Sequence, residues 1–199
     1  MQGTNDDDLE DAELGDYPGL LAVSQFARMI RNVPWFSMLG EALDGRELLL
    51  AQDYCAGLGF PEAAVTLVES WEEAEDVARN PDWNTGWWEA EEQARVALVA
   101  EACGRADEEM VMLALTHVTN AASRVVLEAA ADAAEHAGIA DEGLIRAAAG
   151  AATQGCYQAA LVLAAEAEDQ EQHPFALKYR LFESGRWPLG VVGASYYLF

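Results

Sequence analysis

The sequence predicts an all-α protein, organised as a multi-helix bundle or an α-hairpin array, with a small C-terminal β-hairpin. Three observations lead to this fold class. Apolar residues recur at three- and four-residue steps over most of the chain. N-cap residues and glycine or proline stops bound these segments, and strand candidates occur only near the C-terminus. Because 52% of the 199 residues are hydrophobic, the chain can fill a substantial core.

Residues 1–16 are predicted to form an acidic disordered tail, and residues 17–199 a single helical domain. The tail contains no basic residue, and its high charge leaves too little apolar surface to support folding. Its acidic residues are Asp6, Asp7, Asp8, Glu10, Asp11, Glu13 and Asp16. The domain is expected to begin at the turn formed by Tyr17, Pro18 and Gly19.

Short helices are predicted in the first part of this domain. Residues 20–32 have helical spacing, and Pro34 can begin a second short helix because proline is tolerated in a first turn. A third helix, residues 46–58, follows Asp44 and Gly45.

An amphipathic helix is predicted from Pro61 to Ala78. Its apolar stripe contains Ala64, Leu67, Trp71, Ala74 and Ala78, and most of the other side is acidic, with Glu69, Glu72, Glu73 and Asp76. Turn-forming residues 80–86 end it. Thr85 is the expected N-cap of the next helix, residues 86–103.

Two long, alanine-rich helices are predicted in the centre of the chain. Asp107 is the expected N-cap of the first, which Gly138 ends, and Asp141 is the expected N-cap of the second. The two segments align weakly at an offset of 34 residues, but the large residues typical of helical-hairpin repeats are absent. Gly150 and Gly155 inside the second helix suggest either close helix contact or a bend.

The C-terminal region is rich in aromatic residues. A helix is predicted over residues 174–183, and residues 187–192 and 195–199 are expected to pair as a hairpin. The aromatic cluster is expected to close the core or to form a homodimer seam. It contains Phe175, Tyr179, Phe182, Trp187, Tyr196, Tyr197 and Phe199.

The charge of the chain argues against several functions. Thirty-five acidic residues against 11 basic ones give a net charge of −24, and Lys178 is the only lysine. Such a surface repels phosphates and anionic headgroups, so direct nucleic-acid binding is not expected. Uninterrupted apolar runs fall well short of the roughly 18 residues that cross a bilayer, and no signal-peptide pattern occurs. A cytoplasmic protein without membrane contact is expected.

Motifs for metal, cofactor or covalent chemistry are weak. The three residues Glu128, Asp132 and His136 lie at four-residue steps on one predicted helix and form a candidate metal site, but they also fit a solvated helix end. No Glu-x-x-His pair, nucleophile elbow or phosphate-binding glycine loop occurs. Three widely spaced cysteines are expected to be reduced and mostly buried. No cofactor is predicted.

Two groups of residues are candidates for partner binding. Trp83, Trp87 and Trp88 surround a predicted loop and helix start, where tryptophans suit either an interface or an anchor to the core. The acids Glu72, Glu73 and Asp76 are candidate contacts for a basic partner.

Three explanations of the acidity remain open. Adaptation to salt or to a GC-rich genome would give many acids and few lysines without functional meaning. An interaction protein, such as an inhibitor, an immunity factor or an adaptor, would use an acidic face to dock on a basic partner. The alternative is an enzyme or metal-binding protein with a pocket built from residues distant in sequence. The interaction module is the working hypothesis.

Overall fold

A computed structural model describes residues 14–199, in which seven α-helices and a three-stranded sheet confirm the predicted, mainly helical fold. The predicted acidic tail lies outside the described residues up to residue 13. Residues 14–16 form a turn, and Leu14 packs against the core.

The elements follow one another with short connections. The helices are α1 (Pro18–Met29), α2 (Gly45–Gly57), α3 (Trp71–Ala78), α4 (Thr85–Arg105), α5 (Glu108–His136), α6 (Glu142–Ala164) and α7 (Pro174–Glu183). The strands are β1 (Ala64–Leu67), β2 (Pro188–Val192) and β3 (Ser195–Leu198). Single 3-10 turns occupy Ile30–Asn32 and Gln170–Gln172.

Helix boundaries follow the predicted capping chemistry. The Asp107 carboxylate accepts the Glu109 backbone N–H at 2.9 Å, and the Asp141 carboxylate accepts the Gly143 N–H at 2.8 Å. Helix α4 begins one residue earlier than predicted, because Asn84 rather than Thr85 accepts a backbone N–H, that of Trp87. These side chains satisfy donors that a helix start leaves without an intrahelical partner.

The short helix predicted at Pro34 is wrong. Residues 35–40 form successive turns, and Phe36 has a φ of 58°, which an α-helix does not accommodate. The Trp35 indole N–H donates to the Ile30 carbonyl at 3.0 Å, which ties this segment to the end of α1.

The helix predicted from Pro61 to Ala78 is correct only in its second half. Residues 64–67 form β1, and α3 begins after Ser70, whose hydroxyl accepts the Glu73 N–H. Strand β1 pairs in parallel with β3, and β2 pairs with β3 in the opposite direction, so the predicted C-terminal hairpin is confirmed but gains a third strand. Val65 and Thr66 are β-branched and favour the extended conformation that this pairing requires.

Helices α5 and α6 pack as a long antiparallel pair at the centre of the main core. Small buried residues face each other between them, including Ala122 and Ala130 on α5 and Ala148 and Ala152 on α6. Helix α1 packs on both helices, and α7 packs on α6. Gly155 permits that second contact, because a Cβ atom there would lie 2.8 Å from the Phe182 ring.

Most of the C-terminal aromatic residues belong to this core or pack against it, and Tyr196 belongs to a second, smaller cluster. All are buried except Tyr197, which is half-buried. The cluster therefore packs within the chain and presents little free aromatic surface for the homodimer seam that the sequence suggested.

Candidate functional site

An open cleft of about 820 Å³ lies between three parts of the fold that are distant in sequence. The first turn of α3 forms one wall, the last two turns of α5 form the opposite wall, and the turn at residues 35–39 closes one side. We call this feature the acidic cleft. Its lining brings together Glu72 from one predicted site and Asp132 and His136 from the other.

The floor of the acidic cleft is aromatic. Trp35, Phe36, Trp71 and Phe199 line it, and each is largely buried. The Trp71 and Phe199 rings meet edge to face, with centroids 5.5 Å apart. Phe36 has a left-handed backbone, a conformation that costs about 1–3 kcal/mol and persists only where packing determines it. The floor is therefore preformed apolar surface.

The rim of the acidic cleft carries three exposed carboxylates, those of Glu69, Glu72 and Asp132. Among the described residues, no arginine or lysine belongs to the lining. The His136 Nδ1 atom lies 2.7 Å from the Asp132 backbone carbonyl, which can only accept a hydrogen, so Nδ1 carries the proton. A cation entering the cleft meets negative charge from two separate elements.

The local sequence around Ser70 positions this rim. The Glu73 N–H donates to the Ser70 hydroxyl, and the Glu73 carboxylate accepts the Glu69 N–H at 2.9 Å. This pair of bonds resembles a capping box and fixes the strand-to-helix turn. Glu73 thus serves the cap, Glu72 faces the cleft, and Asp76 is exposed one turn later, outside the lining.

Arg186 holds a neighbouring segment in place. Its guanidinium is fully buried and donates one hydrogen bond of 2.9 Å to each carboxylate oxygen of Glu47. It also donates to the backbone carbonyls of Met38, Glu41 and Ala42. Burial alone would raise the pKa of Glu47, but the bonds from Arg186 and the Asp44 N–H outweigh it and lower the pKa. These hydrogen bonds hold in place the loop that contains Leu39, a residue of the cleft lining.

Comparison with protein-family models, curated proteins and solved structures finds no match.

The three candidate tryptophans lie beside the sheet and are not part of the cleft lining. Trp87 is buried and packs edge to face against Tyr54, with centroids 6.3 Å apart. Trp83 is half-buried and bridges Val192 at the end of β2. Trp88 is 54% exposed at the start of α4 and is the member of this group with free surface for a partner.

The candidate metal residues do not form a ligand cluster. Among the residues the structure describes, no group of three or more histidine, cysteine or acidic side chains is placed to hold a metal ion. Glu128 is not part of the cleft lining, and His136 bonds to the Asp132 backbone rather than to its carboxylate.

Two of the cysteines and one of the other histidines are engaged in the fold. Burial raises the pKa of the Cys55 and Cys156 thiols to about 12, so both stay protonated and unreactive near neutral pH. The His173 Nδ1 atom accepts the Phe175 N–H at 3.1 Å and caps α7. Burial lowers the pKa of His173, although the Glu101 carboxylate opposes this shift.

The only lysine of the chain is also buried. Lys178 Nζ lies 2.7 Å from Glu91 Oε1, and the Tyr54 hydroxyl donates to the same oxygen at 2.7 Å. Burial, followed by the nearby Glu91 charge, holds the pKa of Tyr54 well above its usual value. This network joins α2, α4 and α7 and leaves no lysine for an external ligand.

Proposed function

We propose that this chain is an acidic helical protein-interaction module, of inhibitor, immunity or adaptor type, whose acidic cleft docks on a basic partner. One observation carries the proposal: carboxylates from α3 and α5 border a single preformed aromatic cleft that has no arginine or lysine in its described lining. Within this proposal the chain acts in the cytoplasm without direct contact with nucleic acid.

The floor and the rim support different parts of such recognition. Apolar floor surface supplies affinity when a partner side chain covers it. Rim carboxylates favour a cation, accelerate encounter and disfavour acidic partners. An arginine suits both parts, because its apolar stem and planar guanidinium contact aromatic residues while its N–H groups meet carboxylates. We therefore expect the partner to insert an arginine-bearing helix or loop.

Solvent adaptation is the competing explanation of the acidity, and it makes a different prediction. If the acids serve only the solvent, then acids inside and outside the cleft are interchangeable. If the cleft binds a partner, then Glu69, Glu72 and Asp132 matter more than an equal number of acids elsewhere.

A pair of charge-matched variants separates these explanations. The cleft variant combines Glu69→Gln, Glu72→Gln and Asp132→Asn. The control variant combines Glu62→Gln, Glu89→Gln and Glu168→Gln, three exposed acids outside the cleft. Each wild-type or variant chain is used to capture proteins from lysate of the source cell at about 50 mM and about 500 mM salt, where the screening lengths differ by about threefold.

We expect the wild-type and control chains to retain the same basic protein at low salt and to release it at high salt. The cleft variant should bind that purified protein about 10- to 100-fold more weakly by calorimetry, since each rim charge contributes roughly 0.5–1 kcal/mol. Equal weakening in the two variants would contradict the cleft as the docking site. A partner that survives high salt without loss would contradict electrostatic recognition.

A further inference from the structure

A second groove, of about 650 Å³, runs between α5 and the first half of α6. Helix α4 packs on α6, and its Arg105 donates to the Ala165 carbonyl just past the end of α6. In the first half of α6 the groove residues Arg146 and Gly150 are exposed. The groove lining includes Thr119, Ser123 and Leu127 of α5 and Ala149, Gly150 and Thr153 of α6.

This groove is free of acids in a chain that is otherwise strongly acidic. Among the described residues none of its lining side chains is acidic, and Arg146 is the one charged member. The Thr119 and Thr153 hydroxyls donate to carbonyls of their own helices at 2.9 Å and 2.8 Å. These two hydroxyl hydrogens are therefore used within the chain, and the accessible surface of the groove is mainly apolar.

No contact within the described chain requires a glycine at position 150. It lies on the exposed side of α6, and a Cβ atom there would meet nothing within 4 Å, whereas the glycine five residues later is required by Phe182. A glycine in a helix interior costs roughly 1 kcal/mol relative to alanine. A glycine at an uncovered groove permits the close approach of a helix from outside the chain.

Helix α5 carries more apolar surface than the chain covers. It is long and apolar enough to cross a bilayer by length and composition, yet only 28% of its most apolar window is buried. Met112 and Leu127 at the two ends of its groove-facing edge are 46% and 45% exposed. Between them the edge carries small uncharged residues, including the exposed Thr116 and Ser123.

The order of residues along this edge is symmetric about its centre. Met112 and Leu127 are equally far from the point between Thr119 and Asn120, and so are Thr116 and Ser123. An antiparallel second copy of α5, related by a two-fold axis at that point, would place Met112 against the second copy's Leu127 and Thr116 against its Ser123. Such self-complementarity is what a two-fold interface requires.

We propose that the groove and the adjoining edge of α5 form a homodimer interface, and that the occupant is α5 of a second copy. The two α5–α6 pairs would then form a four-helix bundle across the two-fold axis. Charge favours this face for self-association, because two chains of net charge −24 repel each other least where acids are absent. This inference goes beyond the proposed function and does not depend on it.

Salt dependence distinguishes the dimer from docking on a basic partner. Like charges oppose the dimer, so raising salt from about 50 mM to about 500 mM screens the repulsion and should strengthen dimerisation. The same change should weaken binding of a basic protein at the acidic cleft. The two proposals can therefore fail separately.

Sedimentation equilibrium of the purified full chain tests the dimer. The wild-type chain should dimerise more tightly at about 500 mM salt than at about 50 mM. Gly150→Leu should occupy the groove, and Leu127→Glu should place a charge at the interface twice, once from each copy. Each should weaken dimerisation by about a hundredfold or more, because the two-fold axis doubles the effect of every substitution.

Two controls show that the loss is specific. Leu49→Glu adds the same charge at an exposed leucine of α2, outside the groove, and should leave the dimer unchanged. Thermal unfolding checks that Gly150→Leu keeps the fold, as the open space around that position predicts. A wild-type chain that remains monomeric at high salt, or a dimer that tolerates both groove variants, would overturn the proposal. Flotation of the chain with neutral phosphatidylcholine vesicles, abolished by Leu127→Glu, would also overturn it by replacing the second copy with a bilayer.

Discussion

Replacing Arg186 with methionine is expected to destabilise the fold by about 3–5 kcal/mol, the cost of breaking a buried ion pair by removing one partner. Arg186 directs all of its guanidinium N–H groups at Glu47 and three loop carbonyls. The carbonyls belong to the exposed residues Met38, Glu41 and Ala42, so water can replace their lost donors. Most of the loss therefore comes from the Glu47 carboxylate, which is only 6% exposed and would keep the Asp44 N–H as its one remaining hydrogen-bond donor.

The same reasoning predicts that a second substitution restores stability. In the Arg186→Met, Glu47→Leu double variant no buried charge remains at this site, so most of the loss should be recovered. Urea unfolding at pH 7, followed by circular dichroism, gives the free energy of unfolding of the two single variants and the double variant. Arg186→Lys serves as a control that keeps the charge but not the two-pronged geometry, and it should be intermediate. A loss of stability below about 1 kcal/mol in Arg186→Met, or no recovery of stability in the double variant, would refute the role assigned to the Arg186–Glu47 ion pair.

Two further predictions concern buried polar groups elsewhere. The Tyr196 hydroxyl is buried without a hydrogen-bond partner among the described residues, so Tyr196→Phe should be neutral or should stabilise the fold by up to about 1 kcal/mol. Tyr54→Phe should destabilise the fold by about 1.5–3 kcal/mol, because it removes a hydrogen bond to the charged Glu91. Urea unfolding of the two variants checks this ranking, and the opposite ranking would contradict it. Because burial lowers the pKa of His173, the unfolded chain takes up its proton at a higher pH than the folded chain, and wild-type stability should fall relative to His173→Asn as the pH drops through about 6.5. Asparagine is the chosen replacement because its side chain can still accept the Phe175 N–H. The melting temperatures of the two proteins are measured from pH 7.5 to pH 5, and a constant difference between them over this range would refute the assignment.

Local chemistry explains which parts of the fold were predictable. Asp107 and Asp141 cap the helices that they were predicted to cap, and the glycine after α5 has a φ of 73°, as a helix stop requires. Strand β1 was missed because its partner β3 lies at the far end of the chain, and no local pattern reports such pairing. The helical spacing of Ala64 and Leu67 continued into α3 and concealed the change of structure.

The acidic cleft was only partly predictable for a similar reason. Glu72, Asp132 and His136 were singled out on two separate helices, but their meeting depends on how α3 and α5 pack, which spacing does not encode. The contribution of Glu69 and the aromatic floor was missed. A readable signal was the Ser-x-x-Glu pattern from Ser70 to Glu73, which marks the helix start that forms one wall.

The most direct test of the docking proposal is the affinity of the captured basic partner for the cleft variant and for its charge-matched control. Calorimetry at low salt should show binding about 10- to 100-fold weaker for the Glu69, Glu72 and Asp132 variant and unchanged within about twofold for the Glu62, Glu89 and Glu168 control. Equal affinities in the two variants would contradict docking at the cleft and would attribute the acidity to adaptation to solvent.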